Sequence, residues 1–311
     1  MENKQEHKAS FTSRARKLQS VWREENELEM GIGPTRNSNN AKTGEPTYHG
    51  NMIADGEVNG KNFYFSETFA YAKWRMQTRL KDETIDAYRL FNNLLSSMPM
   101  AFNLFHPLMM LKAENPTLVD SIIRDAFPNI PSIYRVQEIG LKFIPTPSVS
   151  YTCDKSAMDA FIRFQDRVGN NYLIAIETKY TDSLGTNTAS NQQYQFDTMR
   201  ELDMFTPEAI SDTKDSKLKV NQIIRNFILA EKYGKVHGLK RVYSVVMAPE
   251  DHSTTKNEIK SLQSQLNEEA RKRVFALSLE DFTTAIRVHS VDKYLTWIDW
   301  FWDRYLNFAK I

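Results

Sequence analysis

The chain has 311 residues, 41% of them hydrophobic, and its 40 Lys and Arg nearly cancel its 39 Asp and Glu to a net charge of +1. That length supports one large domain with its own core. No apolar run reaches the roughly 20 residues of a membrane span, a single cysteine (Cys153) excludes a disulfide framework or multi-cysteine zinc site, and near-neutrality gives nucleic-acid binding no general support.

Residues 8–30 carry helical spacing, with Arg14, Arg16, Lys17 and Arg23 interleaved among Phe11, Leu18 and Trp22. A solvated basic face is the plainer reading and a DNA backbone contact the sharper one. Residues 31–47 are rich in Gly, Pro and Asn and read as loop. Asp55-Gly56 and Asn59-Gly60 suggest tight turns around a short strand leading into Phe63-Tyr64-Phe65. From Ser66 to Phe127 the pattern is helical, with Ser66 as N-cap and Pro99, Pro107 and Pro116 as breaks. Strand-like Ile133 to Ile144 follows. A polar loop runs through Ser190, then a helix from about Lys219 to Tyr233 and a strand Val242–Met247. The remainder reads as helix (Thr254–Arg271), strand (Val274–Leu277) and two helices, the last holding Trp297, Trp300, Phe301 and Trp302 at the spacing of a buried stripe. Residues 1–130 are expected to form a helical region packed on a core of 131–311, in one continuous unit.

Between these elements lies the most informative stretch, Cys153 to Asp182. It reads as two strands joined at Val168-Gly169-Asn170-Asn171, with Asp159 early in the first and Glu177-Thr178-Lys179 ending the second. Positions 159 and 177 are symmetric about the turn, so the two carboxylates are expected opposite each other on neighbouring strands. Strand alternation puts Glu177 and Lys179 on one face and Thr178 on the other. Tyr172 to Ile176 is apolar on both faces, as in a strand covered on both sides. Charges at the edge of such a layer are costly unless paired or bound to metal. An ordinary surface ion pair at a hairpin end is the bland alternative.

Asp159, then eighteen positions on Glu177-Thr178-Lys179, resembles the PD-(D/E)XK nuclease superfamily, with Met158 where the eponymous proline would stand. Arg14 to Glu24, Leu94 to Phe105 and Gln222 to Ala230 look similar to a bacterial group of restriction endonucleases within it. The resemblance implies an α/β fold: a restriction-endonuclease-like αβββαβ core with a central mixed sheet, plus N-terminal helical and C-terminal α/β additions. It further implies that Asp159, Glu177 and the Thr178 carbonyl hold Mg²⁺, with Mn²⁺ as substitute, and that Lys179 positions or deprotonates the attacking water or stabilises charge on the phosphorane. Glu67 matches the place of an extra family glutamate, with Glu138 as rival. Gln222 matches a site-facing glutamine on the following helix, with Arg225 one turn on as a nucleic-acid contact. A solvated charge or an amphipathic polar face is the plain alternative for each.

Other chemistries fit poorly. The six histidines form no HExxH or zinc-like spacing, and there is no GxGxxG, Walker A loop or GxSxG elbow. The sequence-based expectation is a Mg²⁺-dependent DNA endonuclease of restriction or anti-phage defence type, with DNA as substrate and a homodimer or defence-complex partner. The competing expectation is a catalytically silent nuclease-fold module for DNA binding or assembly. The polar N-terminus, without an apolar signal stretch, sets a cytoplasmic expectation.

Overall fold

The computed structural model describes residues 9–80, 83, 85–154, 156–182, 192–211 and 221–311. Helix α1 (Phe11–Glu25) starts at Ser10, whose hydroxyl accepts from the Ser13 N–H at 3.2 Å. Two of its basic residues are engaged within the fold: Arg14 meets Asp251 at 2.7 Å, and buried Arg23 donates to the carbonyls of Gly50 (2.9 Å) and Leu28 (2.7 Å), while Arg16 and Lys17 are exposed. Strands β1 (Met30–Ile32) and β2 (Tyr48–Ile53) form an antiparallel ribbon flanking the loop. The expected strand between the turns at Asp55-Gly56 and Asn59-Gly60 is instead one helical turn, α2 (Gly56–Asn59), and the strand β2 precedes it. Packing explains Gly56, since a Cβ there would lie 2.0 Å from the Phe91 carbonyl oxygen.

Four helices follow: α3 (Ser66–Thr78), α4 (Ala87–Asn92), α5 (Ser97–Glu114) and α6 (Pro116–Ala126). Ser66 is the first helical residue of α3, with Phe65 in the capping position. Pro116 opens α6 as expected. The other two prolines do not break the chain. Pro99 lies in the first turn of α5, where a missing N–H costs nothing, and Pro107 lies inside it. Proline at 107 deprives the Asn103 carbonyl of its i+4 donor, and the Trp297 indole N–H takes the vacancy at 2.8 Å.

The core is β3 (Arg135–Phe143), β4 (Met158–Gln165), β5 (Asn171–Thr178), α7 (Gln192–Leu202), α8 (Pro207–Ile210), α9 (Gln222–Val236) and β6 (Arg241–Ala248). After it come α10 (Ser253–Ser264), α11 (Glu268–Arg271), β7 (Val274–Ser278), α12 (Leu279–His289) and α13 (Asp292–Tyr305). Residues 183–191 of the expected polar loop, and Lys219 at the expected start of α9, lie outside the described residues. Among the described residues, five strands form one mixed sheet in the order β3-β4-β5-β6-β7. The first three run antiparallel as a meander, while β6 and β7 join parallel. The expected order of helix, three strands, helix, strand is present, and β7 extends the sheet by one strand.

Alternation fixes what each face meets. Ala160, Ile162 and Phe164 of β4 and Ile174 and Ile176 of β5 share a core with α5, α6, α12 and α13. Phe161, Leu173 and Ala175, on the opposite face, pack against Leu229 and Tyr233 of α9. Strand β5 is thus buried on both sides, as its continuous apolar run implies. Trp297 and Phe301 are fully buried, so the aromatic helix α13 is core.

Candidate active site

The β4–β5 hairpin closes on a loop that Asp166 holds, its Oδ1 accepting from the N–H groups of Val168 (3.0 Å) and Asn170 (2.9 Å). Gly169 supplies the left-handed residue, at φ 90°. Pairing then runs in register from Gln165↔Asn171 to Ala160↔Ile176. One step further, Asp159 stands opposite Glu177. Both point to the face that α9 covers and both are buried, at 7% and 6% exposure.

Each carboxylate is fully engaged. The Thr178 N–H (2.9 Å) and hydroxyl (3.0 Å) donate to Asp159 Oδ2, while the Lys142 ammonium of β3 pairs with Oδ1. Strand alternation would turn Thr178 away from Asp159; its hydroxyl reaches because the β4–β5 pairing has ended by this residue. Glu177 Oε1 accepts from Lys179 Nζ and from Gln222 Nε2, both at 2.7 Å, and Oε2 accepts from Asn226 Nδ2 at 2.6 Å. Lys179 Nζ also donates to Gln222 Oε1 at 3.0 Å. Gln222 and Asn226 lie one turn apart at the start of α9, which Asn221 caps through the Ile224 N–H at 3.1 Å.

These contacts split the acidities of the pair. Burial pushes the Asp159 carboxyl up, but Lys142 and Lys179 outweigh it and hold the group below the usual carboxylate range. Burial, and then the Asp159 charge, push Glu177 up to about 7 against the opposing pull of Lys179. For Lys179, burial disfavours the ammonium, yet Glu177 and Asp159 more than compensate and keep it charged.

The cluster forms one wall of a cavity of about 650 Å³. The far wall comes from the helical region and the end of the hairpin: Arg79, Glu83, Asp86, Arg89, Ser97 and Asp182. Asp182 accepts from Ser97 Oγ at 3.0 Å and meets Arg89 at 3.4 Å. Two buried carboxylates facing such a cavity, with oxygen donors only, fit a hard divalent cation that keeps several waters. Among the described residues no group of three or more His, Cys, Asp or Glu side chains is placed to hold a metal. A cation here would therefore depend on Asp159, Glu177, backbone oxygen and water.

Asp159, Glu177, Thr178, Lys179 and Gln222 come together. Glu67 does not join them; it sits exposed at the start of α3, bonded to Ser66 Oγ at 2.9 Å. Glu138 pairs with Arg163 at 2.9 Å, both well exposed. Arg225 is half-buried in the first turn of α9 and does not line the cavity. Sequence reasoning missed Lys142 and Asn226. The i+4 spacing from Gln222 was an available signal for Asn226. For Lys142 the only local signal was the double polar step Gln137-Glu138 that interrupts the alternation of β3, where its register shifts.

Among the described residues, no helix is long and apolar enough to cross a membrane. A family model, that of the PD-(D/E)XK nuclease superfamily, matches residues 5–307. No curated protein and no solved structure matches the chain.

Proposed function

The chain belongs to the PD-(D/E)XK nuclease superfamily, and from that premise we propose that it is a Mg²⁺-dependent DNA endonuclease serving restriction or phage defence. The observation that carries the reading is the convergence of Asp159, Glu177, Lys179 and Gln222 on one cavity wall. Asp159, Glu177 and the Thr178 carbonyl would hold the ion, whose chemistry is to lower the pKa of its water and draw charge from a phosphate oxygen.

The protein's own contribution is positioning and charge. Lys179 is anchored by Glu177 and Gln222, so its ammonium meets the negative charge that grows on the phosphate as the attacking oxygen approaches. Gln222 has both a donor and an acceptor in its amide, which suits a water that must be oriented before it loses a proton. Asn226 fixes the second oxygen of Glu177. A silent DNA-binding module would have no use for two carboxylates and an ammonium buried together, because each such charge is costly to desolvate.

Purified protein should nick or linearise plasmid DNA with Mg²⁺, and Asp159→Asn should abolish cleavage while keeping its melting temperature within a few degrees. Ca²⁺, with looser geometry and longer bonds, should support DNA binding without cleavage. Wild-type cleavage by Asp159→Asn would place the chemistry elsewhere.

A further inference from the structure

We propose that Lys142 is a built-in counter-ion that occupies the cation's place on Asp159 in the metal-free protein and is displaced when a divalent ion binds. The proposal rests on the metal-dependent reading above, and three observations carry it. The first is register. Pairing of β3 with β4 begins as Arg135↔Gln165 and Val136↔Phe164 but resumes as Glu138↔Arg163 and continues to Phe143↔Met158. This bulge adds one residue to β3. Without it, Leu141 would face Asp159; with it, Lys142 does. Bulges re-aim side chains beside functional sites in this way.

The second observation is backbone conformation. Lys142 adopts φ 48°, the left-handed region that non-glycine residues rarely occupy. Its carbonyl is held there by Arg75 Nη2 at 2.7 Å, and Arg75 is itself paired with buried Glu83. An unusual conformation persists only where its surroundings enforce it. The third is the contact. The ammonium sits on Asp159 Oδ1, the oxygen that Thr178 leaves free, and both residues line the cavity.

A carboxylate buried among apolar strands cannot stand unpaired without several kcal/mol of penalty. Lys142 meets that need when no ion is present. A divalent cation and an ammonium repel each other at such range, so the two occupy Oδ1 in turn. The ammonium, on a flexible four-carbon stem, then swings into the cavity.

The test uses Ca²⁺ and Mg²⁺ titrated calorimetrically into the protein without DNA. Lys142→Met should bind either ion about tenfold more tightly than wild type, and Lys142→Gln, which keeps a donor to Oδ1 without the charge, should shift the same way by less. Unchanged or weaker binding in both would overturn the proposal. A wild-type measurement keeps the proposal testable if the variants fold poorly: Lys142 should acylate several-fold faster with Ca²⁺ than with chelator, read by peptide mass spectrometry, and equal rates would overturn it. If wild type cleaves DNA with Mg²⁺ while these arms fail, only the role of Lys142 falls. If wild type neither binds an ion nor cleaves, the metal-dependent reading falls with it.

Discussion

Glu177 is held at each oxygen by a different residue of one helix, Gln222 on Oε1 and Asn226 on Oε2. Replacing either with leucine keeps the volume and removes one anchor. Because misplacing a reacting group by about 1 Å can cost roughly 10²-fold, both variants should lose rate to about that extent in single-turnover plasmid cleavage. DNA affinity should barely move, while Asn226→Leu, which leaves buried Glu177 Oε2 without that donor, should also cost about 1–3 kcal/mol of stability. An Asn226→Leu enzyme at wild-type speed would show that Glu177 is fixed by other contacts. A second residue-scale expectation concerns His106, buried beneath Tyr71 (ring centroids 4.4 Å apart) with Nδ1 3.0 Å from Thr68 Oγ1. Burial lowers its pKa to about 4, against about 6.5 when unfolded. A depressed folded pKa means that the unfolded chain takes up the proton first. The stability is therefore complete above about pH 6.5 and is lost as pH falls toward 4. Thermal melts across that window should fall less steeply for His106→Gln than for wild type; parallel curves would show that His106 titrates freely.

Pro107 gives a sharper test at the scale of elements. The Asn103 carbonyl lacks its helical donor and depends on the Trp297 indole. Trp297→Phe should cost about 1–3 kcal/mol for the buried carbonyl left unsatisfied, beyond the lost ring area. In a Pro107→Ala background the new Ala N–H restores the helical bond, so the same change should cost at least ~0.5 kcal/mol less in urea unfolding. Additive effects would mean that the indole contact is incidental. The pair also marks the limit of what the sequence could reveal. A proline within a helical pattern reads as a break, because its partner lies 190 positions away on α13. The hairpin was legible because its turn, alternation and symmetric acids are all local, and the apolar run of β5 announced its burial. Gln222 was legible only through the family resemblance, and the helices α7 and α8 between the hairpin and α9 went unread. Lys142 was missed although its bulge lies in β3 itself, where two successive polar residues, Gln137-Glu138, interrupt the alternation between Val136 and Ile139; which residue then faces Asp159 depends on pairing with β4.

Over the whole molecule, one core reaches from Ala15 on α1 to Leu306 just beyond α13. Its least usual member is Arg304, fully buried, donating to the Asn62 carbonyl at 2.8 Å and lying 4.3 Å from the Trp22 ring centroid and 4.7 Å from that of Tyr305. Arg304→Met keeps the bulk but strips donors from Asn62 and the cation from the aromatic faces. It should lower unfolding stability by about 3 kcal/mol, measured by urea titration, with little effect on the cleavage rate of the protein that remains folded. A change below ~0.5 kcal/mol would show that the cage is dispensable. From the same corner Gln19 donates both to the Arg304 carbonyl (2.7 Å) and to the hydroxyl of Tyr180 (3.1 Å), the residue after Lys179.

That last link bears on how the protein is made. Helix α1 leaves the ribosome well before α13, yet part of what it packs against, Arg304 and Tyr305, is synthesised some 280 residues later. By then the hairpin and α9 are already outside the tunnel. A nascent chain thus carries Asp159, Glu177 and Lys179 before Tyr180 has the Tyr305 carbonyl to donate to. The support of Tyr180 therefore forms only once α13 is made, and fragments stopped short of α13 should melt without a cooperative transition.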